Sequence, residues 1–357
     1  RVGIGGATGM VGQRFISLLK DHPWFEVNCV AASARSAGKT YREAVGERWA
    51  FAWEIPEKVA GMTVVDAADI DEVSKHVDFV FCAVDMKKDE IRALEEAYAK
   101  HEIPVVSNNS ACRGIEDVPM VVPEINADHL AVIEAQKKRL GTKSGFIAVK
   151  PNCSIQSYVP ALTPLLDFEP EKVSVCTYQA ISGAGKTFKT WPEMVDNVIP
   201  YIGGEDEKSE NEPLKLWGHV EDGKIVNATL PVISAQCLRV ACSDGHMAAV
   251  SVSFKKKPTI EQIKERWANY ETEAQRLELP SAPKPFLQYF EDPSRPQTRL
   301  DRDFQNGFGV SIGRLREDKL FDYRFVCLSH NTVRGAAGGG ILTAELLCRK
   351  GYIPHRV

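Results

Sequence analysis

A chain that opens RVGIGGATGMVGQRF has few folds available to it. Gly6, Gly9 and Gly12 recur at G-x-x-G-x-x-G spacing between an apolar stretch, residues 1–5, and a segment, MVGQRFISLLKDH, whose apolar residues recur at helical spacing. Glycines at such a junction let the backbone turn tightly and approach a pyrophosphate, whose charge then sits against the helix N-terminus. The loop predicts a strand–turn–helix unit that binds a dinucleotide, with Gly6, Thr8, Gly9, Met10, Val11 and Gly12 around the phosphates. A turn that needs small residues only for packing is the competing explanation.

The next strand separates the two. FEVNCVAAS reads as a strand, and an NAD site usually places an acid near its end to bind the ribose 2′-hydroxyl. Here AASARSAGK offers Ser33, Arg35, Ser36 and Lys39 and no acid. A cation and hydroxyls suit a 2′-phosphate, so the expected cofactor is NADP. Further strands at HVDFVFCAVD and IPVVSN flank a helical KKDEIRALEEAYAKHE. Strand–helix alternation with continuous apolar strands implies a parallel sheet covered on both faces.

The texture changes near residue 150. VSVCTYQAIS, PVISAQCLRVAC, HMAAVSVSFKK, GVSIGRLRE and FDYRFVCLSH are β-rich with few helices between them, which suggests a mostly antiparallel second α+β domain. The tail NTVRGAAGGGILTAELLCRKGY returns to a glycine-rich helix start that would pack on the first domain. The expected class is α/β, an N-terminal Rossmann-type NADP-binding domain (1–150 plus 331–357) with an α+β catalytic and oligomerisation domain (151–330). A length of 357 residues suits two domains.

A net charge of −4 gives no basic surplus for nucleic acid or anionic membrane. No apolar run approaches a membrane span. The glycine motif begins at once, which leaves no room for a signal peptide. Nine scattered cysteines do not read as a disulfide framework. Cys29, Cys82, Cys176 and Cys327 lie in apolar runs and are expected in the core. Reduced thiols and a cytoplasmic location follow.

One cysteine stands apart. In GFIAVKPNCSIQSYV, Cys153 follows a strand and a Pro-Asn turn and begins a helix, whose N-terminus favours a thiolate and supplies oxyanion-binding N–H groups. Alone, such a cysteine is more often structural. Its companions argue otherwise. His246 follows a Ser-Asp-Gly turn in RVACSDGHMAAV, and the turn brings Arg239, on the preceding strand, to the same sheet end. Arginine binds carboxylate bidentately. Cys237 and Cys242 lack further ligands, so no metal is expected. SNNSACRG offers Arg113 beside Asn108, Asn109 and Ser110, a candidate anion site. Glu212 and Lys215 share a face if SENEPLKLWGH is helical. AISGAGKTFKT imitates a P-loop, but Ala180 stands where the pattern needs glycine and no Mg²⁺-binding strand follows.

Taken together, GATGMVGQRF, NNSACR, PNCSIQ, TYQAISGAGK, the Glu212–Lys215 pair, Arg239 with His246, and HNTVRGAAGGG resemble the aspartate-β-semialdehyde dehydrogenase family in order and spacing, over nearly the whole chain. The PNCSIQ and HNTVRGAAGGG forms are more similar to the archaeal and fungal branch. Gly3 and Gly5 depart from the family's bulkier approach to the loop. The resemblance implies NADPH-dependent reductive dephosphorylation of L-aspartyl 4-phosphate to the semialdehyde, a step toward lysine, threonine and methionine. It implies that Cys153 forms a thioester, Gln179 orients it and His246 is the acid–base group. Arg239 and Glu212 would hold the substrate's carboxylate and amino group, and Arg113 and Lys215 the phosphate, with Asn109 nearby. Ser182, Gly183 and Asn331 would border the cofactor. A homodimer or homotetramer is expected. Malonyl-CoA reductase and N-acetylglutamyl-phosphate reductase share the chemistry, and a non-catalytic NADP-sensing protein could share the glycine loop. Glu212 favours the amino-acid substrate.

Overall fold

The opening apolar residues form β1 (Val2–Gly5), and the segment after the glycine loop forms α1 (Met10–Leu19) in a computed structural model that describes residues 1–354. Strands β2 (Val27–Ala32), β3 (Val65–Asp66), β4 (Phe79–Cys82), β5 (Val105–Ser107) and β6 (Ile147–Val149) complete a six-stranded sheet of order β3-β2-β1-β4-β5-β6. Every pair in it is parallel. The strand order reverses between β1 and β4, and the glycine loop opens at their carboxyl ends, where doubly wound sheets bind ligands. Helix α2 (Lys88–Lys100) shows why the pattern was readable: Ile91, Glu95, Tyr98 and Ala99 are its buried residues, spaced to form one stripe. Helix α3 (Ile133–Leu140) precedes β6, and α4 (Ile155–Leu162) follows it.

The second sheet is built from β7 (Pro170–Gln179), β8 (Val198–Ile199), β11 (Val232–Val240), β12 (His246–Phe254), β13 (Leu287–Phe290), β14 (Val310–Glu317) and β15 (Tyr323–Ser329); β9 (His219–Glu221) and β10 (Lys224–Val226) form a separate hairpin. Its order is β13-β14-β15-β12-β7-β11-β8. The sheet is mostly antiparallel, as expected, but not wholly so, because β7 pairs β11 and β13 pairs β14 in parallel. Parallel neighbours need a crossover, and α5 (Glu205–Leu216) lies between β7 and β11 in the chain. Helix α6 (Ile260–Ala268) follows β12.

Burial alternates along the second sheet. In β12, His246, Ala248, Val250, Val252 and Phe254 are buried, and the residues between them are half-exposed. The buried face joins α4 and the first sheet in one core that includes Val149, Ile155, Val175, Val250 and Phe325. Cys29, Cys82 and Cys327 are buried as expected, while Cys176 lies on the half-exposed face.

The last helix, α7 (Gly338–Arg349), returns to the first sheet. Its Ile341, Leu342 and Leu346 share a core with Phe15, Ile16 and Phe81. Just before it, Arg334 pairs with Glu124, both side chains fully buried, with Nη1 to Oε2 at 2.9 Å. The Arg334 guanidinium also lies 4.8 Å from the Phe286 ring centre, and its Nε donates to the Phe308 carbonyl. Residues 355–357, part of the expected first domain, lie outside the described residues. Among those described, no helix is long and apolar enough to cross a membrane.

Candidate active site

Strand β6 ends at Val149, and Lys150-Pro151-Asn152 carry the chain to Cys153 just before α4. Asn152 organises this turn. Its Oδ1 accepts from the Ser154 N–H at 2.8 Å and from Ser154 Oγ at 2.7 Å, while its Nδ2 donates to both oxygens of Glu205 at 2.9 and 3.0 Å. Its backbone N–H donates to Glu212 Oε2 at 2.6 Å. Two acids of α5 therefore hold the residue before the thiol. Glu205 also accepts from Gln179 Nε2 at 3.2 Å and from Lys208 Nζ at 2.8 Å. Burial raises the Glu205 carboxyl, but Lys208, Gln179 and Asn152 outweigh it and leave the group below the usual carboxylate range.

Cys153 is partly open to solvent while Asn152 and Ser154 beside it are buried. Burial of the sulfur and nearby Glu205 hold its thiol above the usual cysteine range, against the pull of Lys150, Arg239 and Arg113. Gly335 keeps its surroundings clear: a Cβ there would come 2.8 Å from Cys153 Cβ.

Gln179, Arg239 and His246 meet at one edge of the second sheet. Arg239 stands opposite Gln179 in the β11–β7 register, and His246 begins β12, whose next residue, Met247, pairs with Tyr178 of β7. A Cβ on Gly183 would come 2.9 Å from Arg239 Nη1 and 3.0 Å from His246 Nε2, so only glycine leaves both groups clear. His246 Nδ1 accepts from the Ala180 N–H at 3.0 Å. In a neutral ring that bond puts the proton on Nε2, which is buried and has no partner among the described residues. Burial, with Arg239 adding to it, holds His246 well below the usual histidine range. His246 thus presents an N–H donor at neutral pH.

The first domain contributes Arg113. Its Nη1 donates to Glu212 Oε1 at 2.9 Å and its Nη2 to the Asn108 carbonyl at 3.0 Å. Asn109 turns inward, with Nδ2 donating to Glu95 Oε1 at 3.4 Å. Its neighbour Asn108 instead keeps both side-chain polar atoms buried and unpartnered among the described residues. Lys215, the expected second phosphate ligand, donates all its N–H groups to the carbonyls of Arg113, Ile115 and Val118 at 2.7, 2.7 and 3.0 Å. It ties the Arg113 loop to α5. Burial lowers its amine to about 8.

The cofactor loop opens on a cleft of about 540 Å³ lined by Gly6, Thr8, Gly9, Ser33, Arg35, Arg48, Asp66 and Asp85, among others. Gly6 has φ +77°, and a Cβ there would come 2.2 Å from the Ala83 carbonyl oxygen. A Cβ on Gly12 would come 2.3 Å from the Gly6 oxygen, so this glycine lets α1 sit close to β1. Gly9 leaves the mouth of the loop open. Arg35 and Lys39 are exposed cations at the end of β2, whereas Ser36 is buried and neither Ser36 nor Lys39 lines the cleft. These residues suit a dinucleotide whose 2′-phosphate meets Arg35. Met10 and Val11 begin α1. Asn331 spends its side chain on protein groups, accepting from the Gly245 N–H at 2.8 Å and donating to Ser182 Oγ at 2.8 Å. The P-loop-like stretch makes only a 3-10 turn, Ile181–Ala184, with no helix N-terminus to receive a phosphate.

Sequence reasoning missed Asn152, Glu205, Lys150, Arg48 and Gly335. Only Lys150 carried a signal, a charge closing the apolar run GFIAV three residues before the thiol.

The sequence matches two family patterns, "Semialdehyde dehydrogenase, NAD binding domain" over residues 1–133 and "Semialdehyde dehydrogenase, dimerisation domain" over residues 162–334. It is 45% identical to the aspartate-semialdehyde dehydrogenase of Schizosaccharomyces pombe, over 99% of each chain. It is 43% identical to that of Archaeoglobus fulgidus, again over 99% of each. The crystal structure of the Candida albicans aspartate semialdehyde dehydrogenase with NADP superposes with a TM-score of 0.88 at 38% identity and 99% coverage of both chains. The Vibrio cholerae aspartate semialdehyde dehydrogenase II complexed with ASA gives 0.72 at 25% identity and 98% coverage of both.

Proposed function

Since this chain belongs to the aspartate-semialdehyde dehydrogenase family, we propose that Cys153, His246, Gln179, Arg239 and Arg113 are the working groups of its reaction. That reaction is the NADP-dependent reductive dephosphorylation of L-aspartyl 4-phosphate to L-aspartate 4-semialdehyde. The Cys153 sulfur attacks the acyl carbon, the bond from that carbon to the phosphate oxygen breaks, and a thioester remains on the enzyme. The N-terminus of α4, just after Cys153, would favour the oxyanion formed on attack. NADPH, held by the glycine loop and Arg35, would supply the hydride that reduces the acyl carbon. His246, with its proton on Nε2, donates a hydrogen bond to the oxygen of the reacting carbonyl, and when the carbon–sulfur bond breaks its electron pair returns to the Cys153 sulfur as the aldehyde leaves. Gln179, anchored by Glu205, orients the acyl group. Arg239 takes the substrate's α-carboxylate, Glu212 its amino group, and Arg113 the phosphate. Lys215 contributes by holding the Arg113 loop.

The observation that carries this reading is the convergence of Gln179, Arg239 and His246 at one end of the second sheet, where Gln179 shares Glu205 with Asn152, the residue before the thiol. Cys153→Ala tests it: phosphate-dependent NADP reduction should disappear while NADP binding persists, and retained turnover would overturn it.

The dimerisation-domain match makes the protein a homo-oligomer. The half-exposed face of the second sheet, where Cys176 pairs with Ala249 and Tyr178 with Met247, supports a homodimer closed across that face. All nine cysteines are unpaired thiols, which supports a cytoplasmic setting.

A further inference from the structure

An acid stands in the apolar stripe of α2. Ile91, Glu95, Tyr98 and Ala99 are the buried residues of this helix, and Glu95 is 0% exposed. Among the described residues it makes hydrogen bonds but no ion pair, and burial raises its carboxyl. An apolar side chain would be easier to bury at this position, so packing alone does not call for an acid.

The hydrogen bonds of Glu95 run to the end of β5 and the loop after it. Ser107 Oγ donates to Glu95 Oε1, and Asn109 Nδ2 donates to the same oxygen at 3.4 Å. Ser107 Oγ accepts in turn from the Asn109 N–H at 3.0 Å. Between these two residues lies Asn108, whose N–H donates to the Cys82 carbonyl at 2.9 Å. The Asn108 carbonyl is the group that accepts from Arg113 Nη2 at 3.0 Å. After Ser107 the chain runs to Arg113 without helix or strand, so no ladder fixes its path and side-chain ties must do so. The helix that carries Glu95 is itself anchored. Tyr98, almost one turn on, donates its hydroxyl to the Ala67 carbonyl at 2.7 Å, and Ile91 and Tyr98 share a core with Val105 of β5.

We propose that Glu95 is a positioning residue for Arg113: it fixes the backbone of residues 107–109 from within the first domain, and so sets where the Asn108 carbonyl holds the guanidinium. Glu95 acts through this loop and touches neither substrate nor cofactor. It works as a hydrogen-bond acceptor, since one oxygen receives both Ser107 and Asn109.

The inference rests on Arg113 being the phosphate ligand. It is tested in the phosphorylating direction, with L-aspartate semialdehyde, NADP and inorganic phosphate, and thermal melts confirm that each variant is folded. Glu95→Leu removes the acceptor at similar volume. It should raise the KM for phosphate about tenfold and leave the KM for NADP near its wild-type value. Glu95→Gln keeps an acceptor oxygen for Ser107 and Asn109, and its KM for phosphate should stay near the wild-type value. A role in stability alone would lower the melting temperature and the amount of active protein without moving that KM. An unchanged KM for phosphate in Glu95→Leu, or Glu95→Gln as impaired as Glu95→Leu, overturns the proposal. If Glu95→Leu does not fold, Ser107→Ala breaks the next link, and an unchanged KM for phosphate there overturns the proposal in the same way. Arg113→Ala separates the two assignments. An unchanged KM for phosphate in that variant defeats the phosphate assignment and the inference with it, whereas a rise there without one in Glu95→Leu defeats only the role of Glu95.

Discussion

Arg113 of the first domain and Glu212 of α5 meet at 2.9 Å, and this ion pair is nine-tenths shielded from solvent. The other oxygen of Glu212 accepts from the Asn152 N–H. One carboxylate thus joins Arg113, the proposed phosphate ligand, to the residue before Cys153, the proposed nucleophile. Under the roles proposed for them, substrate would enter a pre-formed ion pair rather than an empty site, its phosphate displacing Glu212 from Arg113.

Glu212→Gln keeps the shape and removes the charge. The KM for L-aspartate semialdehyde should rise about tenfold or more, the range for losing a charge-assisted hydrogen bond. Steady-state kinetics at saturating NADP and phosphate measure it, and an unchanged KM would remove the amino-group assignment.

Arg35 is exposed at the rim of the cofactor cleft, with no acid at the end of β2. Arg35→Ala should raise the KM for NADPH by about tenfold and barely alter that for NADH, because only the former carries a 2′-phosphate. Equal changes in both would exclude the phosphate contact.

Arg334 and Glu124 are fully buried, so removing one partner strands the other's charge. Arg334→Leu should cost about 3–5 kcal/mol in urea unfolding. Glu124→Leu combined with Arg334→Leu should recover much of that loss, because no charge is then left without a partner. A double variant as unstable as the single one would count against this account.

Lys150 yields a pH dependence with a definite sign. Its amine falls from the usual 10.5 to about 7 on folding, so between those limits the unfolded chain holds more protons and stability rises with pH. Lys150→Met lacks this burden. It should be the more stable protein at pH 7, with its advantage shrinking by about 2 kcal/mol between pH 7 and 8.5. Denaturation at the two values checks it, and a constant gap would show that the amine does not titrate there.

Parts of this were open to reading from the sequence for local reasons. Cys153 stands at a strand-to-helix junction that a Pro-Asn turn announces, and the Gly6–Gly12 spacing needs only its flanking pattern. The parallel pairing of β7 with β11 was not open to the same reading. It depends on the polar helix Glu205–Leu216 crossing over between them, and that helix carries little apolar periodicity to reveal it. Strand β3 is two residues long and offers no period at all. Lys215 shows a deeper limit: the family resemblance implies a phosphate ligand there, but its hydrogen bonds depend on where three carbonyls of a distant loop point. Lys150 lies between these cases, visible as a misplaced charge but without meaning until its neighbours were known.

The return of α7 to the first sheet sets an order on the protein's birth. Phe15 and Ile16 are made before the whole of the second domain, but their partners Ile341 and Leu342 are made after it. A nascent chain that has finished β6 still lacks one wall of that core, and it must hold its apolar surface open while the second domain is translated. The dinucleotide site is begun before the second domain and sealed after it.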